Sequence, residues 1–134
     1  MSENRDVVQS AYDAFAKGDI EAVLGILSDR VEWDVTSVVP QGGSFRGRDS
    51  VGEFFQSLGE HWSELTVDPE QLVSDGDTVV AIGRAAGKLR GHGDAAAGYT
   101  FVHGFKLADG QVTRFREWAD PDAELTGHMS HGAH

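Results

Sequence analysis

Two residues near the end of the chain carry side chains that can transfer protons. His103 and Glu117 lie in TFVHGFKLADGQVTRFREWAD, residues 100–120, within two runs of β-forming residues that also contain aromatic side chains. An unpaired buried polar side chain costs about 1–3 kcal/mol, so each needs a partner or a function. A carboxylate such as Glu117 can remove a proton next to a carbonyl group, while His103 or a nearby cation donates to the enolate oxygen.

The turn between the two runs decides whether these residues share a face. A two-residue type I′ turn at 109–110 would pair His103 with Arg116. A three-residue loop at 108–110, with a glycine in the left-handed conformation and a bulge, would pair His103 with Phe115. A shift of one residue moves every side chain to the other face, so the two registers predict different sites.

We favour the three-residue loop because it separates the charged residues onto one face. In that register His103 and Glu117 are diagonal neighbours, about 7–8 Å apart at the backbone. The predicted inner face holds Phe101, His103, Phe105, Thr113, Phe115 and Glu117. The predicted outer face holds Val102, Lys106, Val112, Arg114, Arg116 and Trp118.

A third polar candidate, Arg84, lies in a run where alternate residues share a face. That face holds Val80, Ile82, Arg84 and Ala86, and if it points inward, Arg84 reaches the same cavity. We predict apolar ligand contacts from Trp33, Val35, Phe54, Tyr99, Phe101 and Phe115. The competing interpretations are that the aromatic residues only fill the core, and that Glu117 forms a structural ion pair or is exposed.

The elements that position these residues follow from hydrophobic periodicity. Helices are predicted from about Asn4 to Lys17, after Asp19 with Ile20, Val23, Leu24 and Leu27 facing inward, and from about Asp49 to Trp62. Strands are predicted at 30–35, 65–73, 78–90, 99–107 and 111–119, with loops at 37–47 and 91–98. Helices followed by a mostly antiparallel sheet predict an α+β domain whose sheet curls over the helices.

Composition excludes several classes of function. The 134 residues suit one domain, 1–134, in which about 122–134 form a tail. A net charge of −11 disfavours nucleic-acid and anionic-membrane partners, and the absence of cysteine removes disulfides and thiolate chemistry. The N-terminal stretch MSENRDVVQS has no apolar segment like that of a signal peptide, so we expect a cytoplasmic protein.

The tail contains three histidines. His128, His131 and His134 are three residues apart, but Gly127 and Gly132 oppose a rigid helix that would align them. We therefore predict no metal site here, and expect the tail to be mobile or packed against a partner.

Four stretches together resemble the SnoaL-like polyketide cyclase family. This family belongs to the superfamily of ketosteroid isomerase, limonene epoxide hydrolase and nuclear transport factor two. The resemblance runs from Val7 to Asp120 and implies a cone-shaped barrel with an internal pocket. The stretches that carry it are YDAFAKGDIEAVLGILSDRVEWDV, FRGRDSVGEFFQSL, LVSDGDTVVAIGR and FVHGFKLADGQVTRFREWAD.

The resemblance implies roles for particular residues. In SnoaL-like cyclases an acidic residue on the last strand is the general acid/base, and a histidine on the preceding strand lies beside it. Glu117 and His103 match these positions, although the family usually has aspartate where Glu117 stands.

Two other activities of the superfamily match less well. Compared with the epoxide hydrolases, Arg84 matches the pocket arginine and Glu117 matches one of the two catalytic aspartates. The other aspartate position falls on Ala86, and a further polar position falls on Val35. For ketosteroid isomerase, His103 falls on the oxyanion-donor position. The general base, however, falls near Val35, and the helix tyrosine falls near Ala11, next to Tyr12.

Three functions therefore remain open. The first is a cofactor-independent acid/base enzyme acting on a small apolar carbonyl compound, similar to a polyketide cyclase or isomerase, with lyase and hydrolase chemistry not excluded. The second is a binding protein with the same pocket and no turnover. The third is a dimeric interaction module with a vestigial pocket. The resemblance also implies a homodimer formed through the outer sheet face, where Arg114, Arg116 and Trp118 are predicted.

Overall fold

The computed structural model describes residues 2–36, 39, 41–91, 93 and 95–121. Within these residues, helices precede and interrupt a long sheet, which confirms the predicted α+β class. The helices are α1 Ser2–Ala16, α2 Ile20–Gly25 and α3 Arg48–His61. The strands are β1 Leu27–Val35, β2 Gly43–Arg46, β3 Trp62–Asp75, β4 Thr78–Leu89, β5 Ala95–Ala108 and β6 Gln111–Pro121.

The six strands form one mostly antiparallel sheet in the order β2-β1-β6-β5-β4-β3. The single parallel pair of this sheet is β1 with β6, and the other neighbours run antiparallel. Strands β2 and β3 lie at opposite edges, so the sheet of the described residues is open and does not close into the barrel that the resemblance implied.

The helices cover one face of the sheet and form the core with it. Val8 of α1 and Val51 of α3 have no exposed surface, and α1 packs on β3 and β4 while α3 packs on β1, β2 and β3. The Asp19 carboxylate caps α2 by accepting a hydrogen bond from the Ala22 amide at 3.1 Å. None of these helices is long and apolar enough to span a membrane.

Several predicted boundaries were wrong because strand pairing overrides local pattern. Leu27 begins β1 instead of facing inward from α2, and it is 1% exposed. The segment predicted as a loop at 37–47 contains β2, which pairs with β1 and is held there by an Arg46–Asp34 ion pair at 3.1 Å. Strand β5 begins at Ala95, within the predicted glycine-rich loop.

The β5–β6 hairpin uses neither of the two predicted registers. Asp109 and Gly110 both have positive φ, 53° and 78°, as a two-residue type I′ turn requires. A bulge at Thr113 then shifts the ladder by one residue, and the pairs that follow are Lys106↔Arg114, Phe105↔Phe115 and His103↔Glu117. The predicted inner face is nevertheless correct for His103 and Glu117, which lie directly opposite each other.

The same bulge determines where the other residues of the two predicted faces lie. Phe101, Phe105 and Phe115 are buried as predicted, while Val112, which was expected outside, is fully buried before the bulge. Arg114, Arg116 and Trp118 are exposed on the outer face, and Arg116 lies 5.5 Å from the centroid of the Trp118 ring. Dimerisation through this face stays a prediction.

The predicted orientation of Arg84 was wrong. The inward residues of β4 are Val79, Ala81, Gly83 and Ala85, whereas Ile82 and Arg84 are exposed. Helix α1 packs against β4, so the residues on this side of the strand are buried and the charged Arg84 lies on the solvent side. Arg84 donates to the Thr100 hydroxyl at 3.2 Å on that outer face and does not line the cavity.

Gly83 is required by the close approach of β3 to β4. A Cβ atom at this position would overlap the Asp68 carbonyl oxygen and lie 2.8 Å from the Pro69 Cα. We expect Gly83→Ala to lower the free energy of unfolding by about 1–3 kcal/mol, because backbone atoms must shift. Urea unfolding measures this change.

Gly59, on the exposed surface of α3, provides the matched control. A Cβ atom there meets nothing within 4 Å, so Gly59→Ala should raise the free energy of unfolding by about 0.4–1 kcal/mol. Equal unfolding midpoints for Gly83→Ala and the wild-type protein would contradict the steric interpretation.

Candidate functional site

The buried polar pair of the inner face is His103 with Glu117. The His103 Nε2 and Glu117 Oε2 atoms are 2.7 Å apart, and the two residues are 6% and 7% exposed. Their direct opposition on β5 and β6 brings them closer than the diagonal arrangement that the sequence predicted. The second carboxylate oxygen, Glu117 Oε1, is buried and has no hydrogen-bond partner among the described residues.

The imidazole ring is fixed by aromatic contacts. Phe101 stacks on His103 with ring centroids 4.0 Å apart and planes 15° apart. Phe115 and Phe105 meet the same ring edge-on, at 4.9 Å and 6.3 Å. These contacts pack the ring on its face and its edges, and Nε2 faces Glu117.

Tyr12 of α1 completes a hydrogen-bonded chain of three side chains. Its hydroxyl oxygen lies 2.6 Å from His103 Nδ1. An ionised Glu117 can only accept, so Nε2 carries a proton toward it, and in the neutral imidazole Nδ1 accepts the Tyr12 hydroxyl hydrogen. Tyr12 was not among the predicted site residues, although its spacing of four from Val8 places both on one helical face.

An apolar cavity of about 80 Å³ lies beside this chain. That volume exceeds the roughly 10–15 Å³ needed by one water molecule. The three helices and strands β1, β3, β5 and β6 contribute to its wall, which includes Tyr12, His103 and Glu117.

Most of the predicted ligand contacts face this cavity. Those that line it are Trp33, Val35, Phe54, Tyr99 and Phe115. Phe101 does not line it, because it is 1% exposed and lies behind the His103 ring. Whether any of them binds a ligand stays a prediction.

A second buried polar group, Gln41, was missed by sequence reasoning. Trp62 Nε1 donates to Gln41 Oε1 at 3.0 Å, and Gln41 Nε2 donates to the Tyr99 hydroxyl oxygen at 3.4 Å. Gln41 is 3% exposed and lines the cavity. It lies between helical and strand patterns, so no periodicity marks it as buried.

Both tyrosines of the chain have raised pKa values. Burial is the larger cause for Tyr12 and Tyr99, and the negative charge of Glu117 adds to it. The hydrogen bond from Gln41 lowers the pKa of Tyr99 by a smaller amount. Each hydroxyl therefore stays protonated in the folded protein at pH values where a free tyrosine ionises.

We expect the raised pKa values of the two tyrosines to make the folded protein less stable at high pH. Tyrosines ionise near about pH 10 in the unfolded chain but remain neutral in the fold, so the unfolded state binds fewer protons above that pH. The free energy of unfolding should fall by up to about 1.4 kcal/mol per pH unit for each tyrosine. Below about pH 10 the contribution is fully present.

Urea unfolding between about pH 9 and 11 measures this slope. The Tyr12→Phe/Tyr99→Phe variant, which removes both hydroxyls, should flatten it while the slope from lysine ionisation remains. Tyrosinate absorbance that rises in the folded protein near about pH 10 would contradict the raised pKa values.

Across 2–36, 39, 41–91, 93 and 95–121, no three His, Asp or Glu side chains form a group that could hold a metal ion. The predicted tail, 122–134, with His128, His131 and His134, lies outside the described residues.

Comparison with known families supports the predicted resemblance. A family model described as "SnoaL-like domain" matches residues 8–115. The match includes Tyr12 and His103 and ends two residues before Glu117. A comparison with curated proteins finds no significant match.

Solved structures show the same fold. An NTF2-like protein of unknown function from Burkholderia pseudomallei K96243 is 25% identical, with a TM-score of 0.84 over 98% of this chain and 97% of that one. A protein from Xanthomonas campestris pv. campestris, described provisionally as a polyketide cyclase, is 25% identical, with a TM-score of 0.73 over 89% and 91%. TerC, co-crystallised with polyporic acid, is 24% identical, with a TM-score of 0.80 over 95% and 96%.

Proposed function

Because the chain belongs to the SnoaL-like domain family, we propose that it is a cofactor-independent acid/base enzyme acting on a small apolar carbonyl compound. The reaction is a cyclisation or isomerisation similar to that of a polyketide cyclase. One observation carries the proposal: a buried carboxylate oxygen, Glu117 Oε1, has no partner among the described residues and belongs to a residue lining an apolar cavity.

An unpartnered carboxylate oxygen is unusual in a folded protein. Buried polar atoms are nearly always hydrogen-bonded, and leaving one unpaired costs about 1–3 kcal/mol. Glu117 holds its other oxygen against His103 at 2.7 Å, so the carboxylate cannot rotate freely to find a partner. An atom fixed in this way is suited to receive a proton from a molecule in the cavity.

The proton step needs a base and a hydrogen-bond donor. Glu117 Oε1 takes a proton from the carbon next to a carbonyl, the C–H electron pair forms an enolate, and the carbonyl oxygen gains negative charge. In a conjugated enolate, return of the proton to a more distant carbon gives isomerisation. Attack of the enolate carbon on a second carbonyl forms a carbon–carbon bond, and the resulting alkoxide takes the proton back from Glu117, which completes a cyclisation. Positioned proton transfer accelerates such a step by about 10²–10⁴-fold.

His103 acts in this proposal by orienting Glu117. Both of its ring nitrogens are engaged, Nε2 by Glu117 and Nδ1 by Tyr12, so His103 cannot also donate to an enolate as the sequence suggested. Arg84 cannot donate either, because it lies on the outer face. The catalytic roles predicted for these two residues therefore change: His103 becomes a positioning residue and Arg84 leaves the site.

Hydrogen exchange at carbon tests the proposal without knowledge of the natural substrate. Cyclohexanone and 2-tetralone are incubated with the protein in D₂O, and NMR follows deuterium incorporation next to the carbonyl. Exchange above the buffer rate, together with binding seen by thermal shift, supports acid/base catalysis. Binding without exchange would indicate a binding protein without turnover. The absence of both binding and exchange would contradict both functions.

A further inference from the structure

Two residues that line the cavity have a buried polar atom without a hydrogen-bond partner, one a donor and the other an acceptor. Trp33 Nε1 is a buried donor and Glu117 Oε1 is a buried acceptor, and neither has a hydrogen-bond partner among the described residues. Trp33 is 6% exposed, and both residues line the same cavity. Since a buried donor without a partner is as costly as a buried acceptor, both atoms call for the same explanation.

The sheet places the two residues within reach of one small molecule. Strands β1 and β6 are parallel here, with Trp33 opposite Phe115 and Val35 opposite Glu117. Trp33 and Glu117 are thus two positions apart on neighbouring strands and share a face. Strand spacing and rise put their backbones about 8 Å apart.

The indole ring is held in place on several sides. It stacks on Phe115 with centroids 3.9 Å apart, and Phe54 and Phe55 contact it at 5.7 Å and 5.8 Å. A ring packed in this way presents its N–H in a fixed position. A preorganised donor of this kind stabilises developing negative charge without reorganisation during the reaction.

Other polar side chains in the cavity wall already take part in hydrogen bonds. His103 is engaged through both nitrogens, and the Tyr99 hydroxyl oxygen accepts a hydrogen bond from the Gln41 amide. Among the described residues, Trp33 is the lining side chain whose buried nitrogen makes no hydrogen bond at all.

We propose that Trp33 Nε1 donates a hydrogen bond to the carbonyl oxygen of the substrate while Glu117 Oε1 faces the adjacent C–H. The substrate class is then an enolisable ketone with an otherwise apolar body. This assignment rests on the proposed acid/base function and names the donor that neither His103 nor Arg84 can supply.

The three tryptophans of the chain allow a direct test by NMR. Trp62 Nε1 is bonded to Gln41 and Trp118 is 51% exposed, so their indole N–H signals serve as internal references. Cyclohexanone should move the Trp33 N–H signal downfield, and methylenecyclohexane, which has the same shape without the oxygen, should not. The Trp33→Phe variant identifies the signal by its loss.

Affinity provides a second test. In Trp33→Phe the affinity for cyclohexanone relative to methylenecyclohexane should fall about three- to tenfold, the effect of one lost hydrogen bond. Trp118→Phe is the matched control and should change neither affinity. The proposal is overturned if the ketone does not bind, if both probes move the Trp33 signal equally, or if both lose affinity equally.

These outcomes separate the proposal from the function on which it rests. A downfield shift specific to the ketone, without deuterium exchange, would support the Trp33 contact and contradict acid/base catalysis. Exchange that continues in Trp33→Phe with the wild-type KM and kcat would support catalysis and overturn the role of Trp33. The wild-type NMR titration remains decisive even if Trp33→Phe does not fold, because Trp62→Phe and Trp118→Phe then identify the other two indole signals.

Discussion

Replacing Glu117 with glutamine should lower the rate of deuterium exchange into a bound ketone by about 10²–10⁴-fold. Glutamine keeps the shape of glutamate and can still bond His103, but its amide is not a base at neutral pH. The cavity and the ketone affinity should therefore be retained while proton removal is lost. Exchange of cyclohexanone or 2-tetralone in D₂O, at saturating ketone, measures the loss.

A surface carboxylate provides the control for this experiment. Glu60 is exposed on α3, so Glu60→Gln makes the same chemical change away from the cavity and should leave exchange unaltered. If Glu117→Gln and Glu60→Gln both exchange at the wild-type rate, Glu117 is not the base and the proposed function is wrong.

Replacing His103 with phenylalanine should destabilise the fold by about 3 kcal/mol. The ring volume is kept, but the Glu117 carboxylate, 7% exposed, loses its 2.7 Å partner. An unpaired buried polar group costs about 1–3 kcal/mol and a broken buried ion pair about 3–5 kcal/mol, so the expected value lies where these ranges meet. Urea unfolding at neutral pH measures it.

A double variant separates loss of the partner from loss of packing. His103→Phe combined with Glu117→Leu removes the carboxylate as well, and should recover most of the lost stability because apolar residues of similar volume can replace a buried polar pair. A double variant as unstable as His103→Phe alone would show that the histidine acts through packing, and would weaken the role given to the Glu117 carboxylate.

The hairpin shows what could be predicted about the site from the sequence. Alternation assigned His103 and Glu117 to the inner face, because aromatic neighbours at every second position favour burial. The pairing itself was not predictable, because the bulge residue Thr113 has no distinctive local pattern. In the structure its hydroxyl donates to the Lys106 carbonyl oxygen at 3.2 Å, a contact that exists only after the strands pair.

Arg84 and Tyr12 show where sequence reasoning was insufficient. Residues of β4 alternate between its two faces, and this alternation alone does not show which face is buried. The buried face depends on the packing of α1, a segment that is distant in sequence. Tyr12 did have a signal, since it shares a helical face with Val8 and Phe15, but its partner His103 is 91 residues away. The local sequence pattern indicates the face on which a side chain lies, whereas its tertiary contacts determine its role.

The position of β6 in the sheet also governs when the protein can become functional during synthesis. This strand lies between β1 and β5, so without it the sheet would be divided into two unconnected parts, β2-β1 and β5-β4-β3. Joining strands that are far apart in sequence is entropically costly and slow. A nascent chain that lacks β6 would expose the apolar inner faces of both parts, so this interval is when the chain is most open to aggregation or to capture by a chaperone.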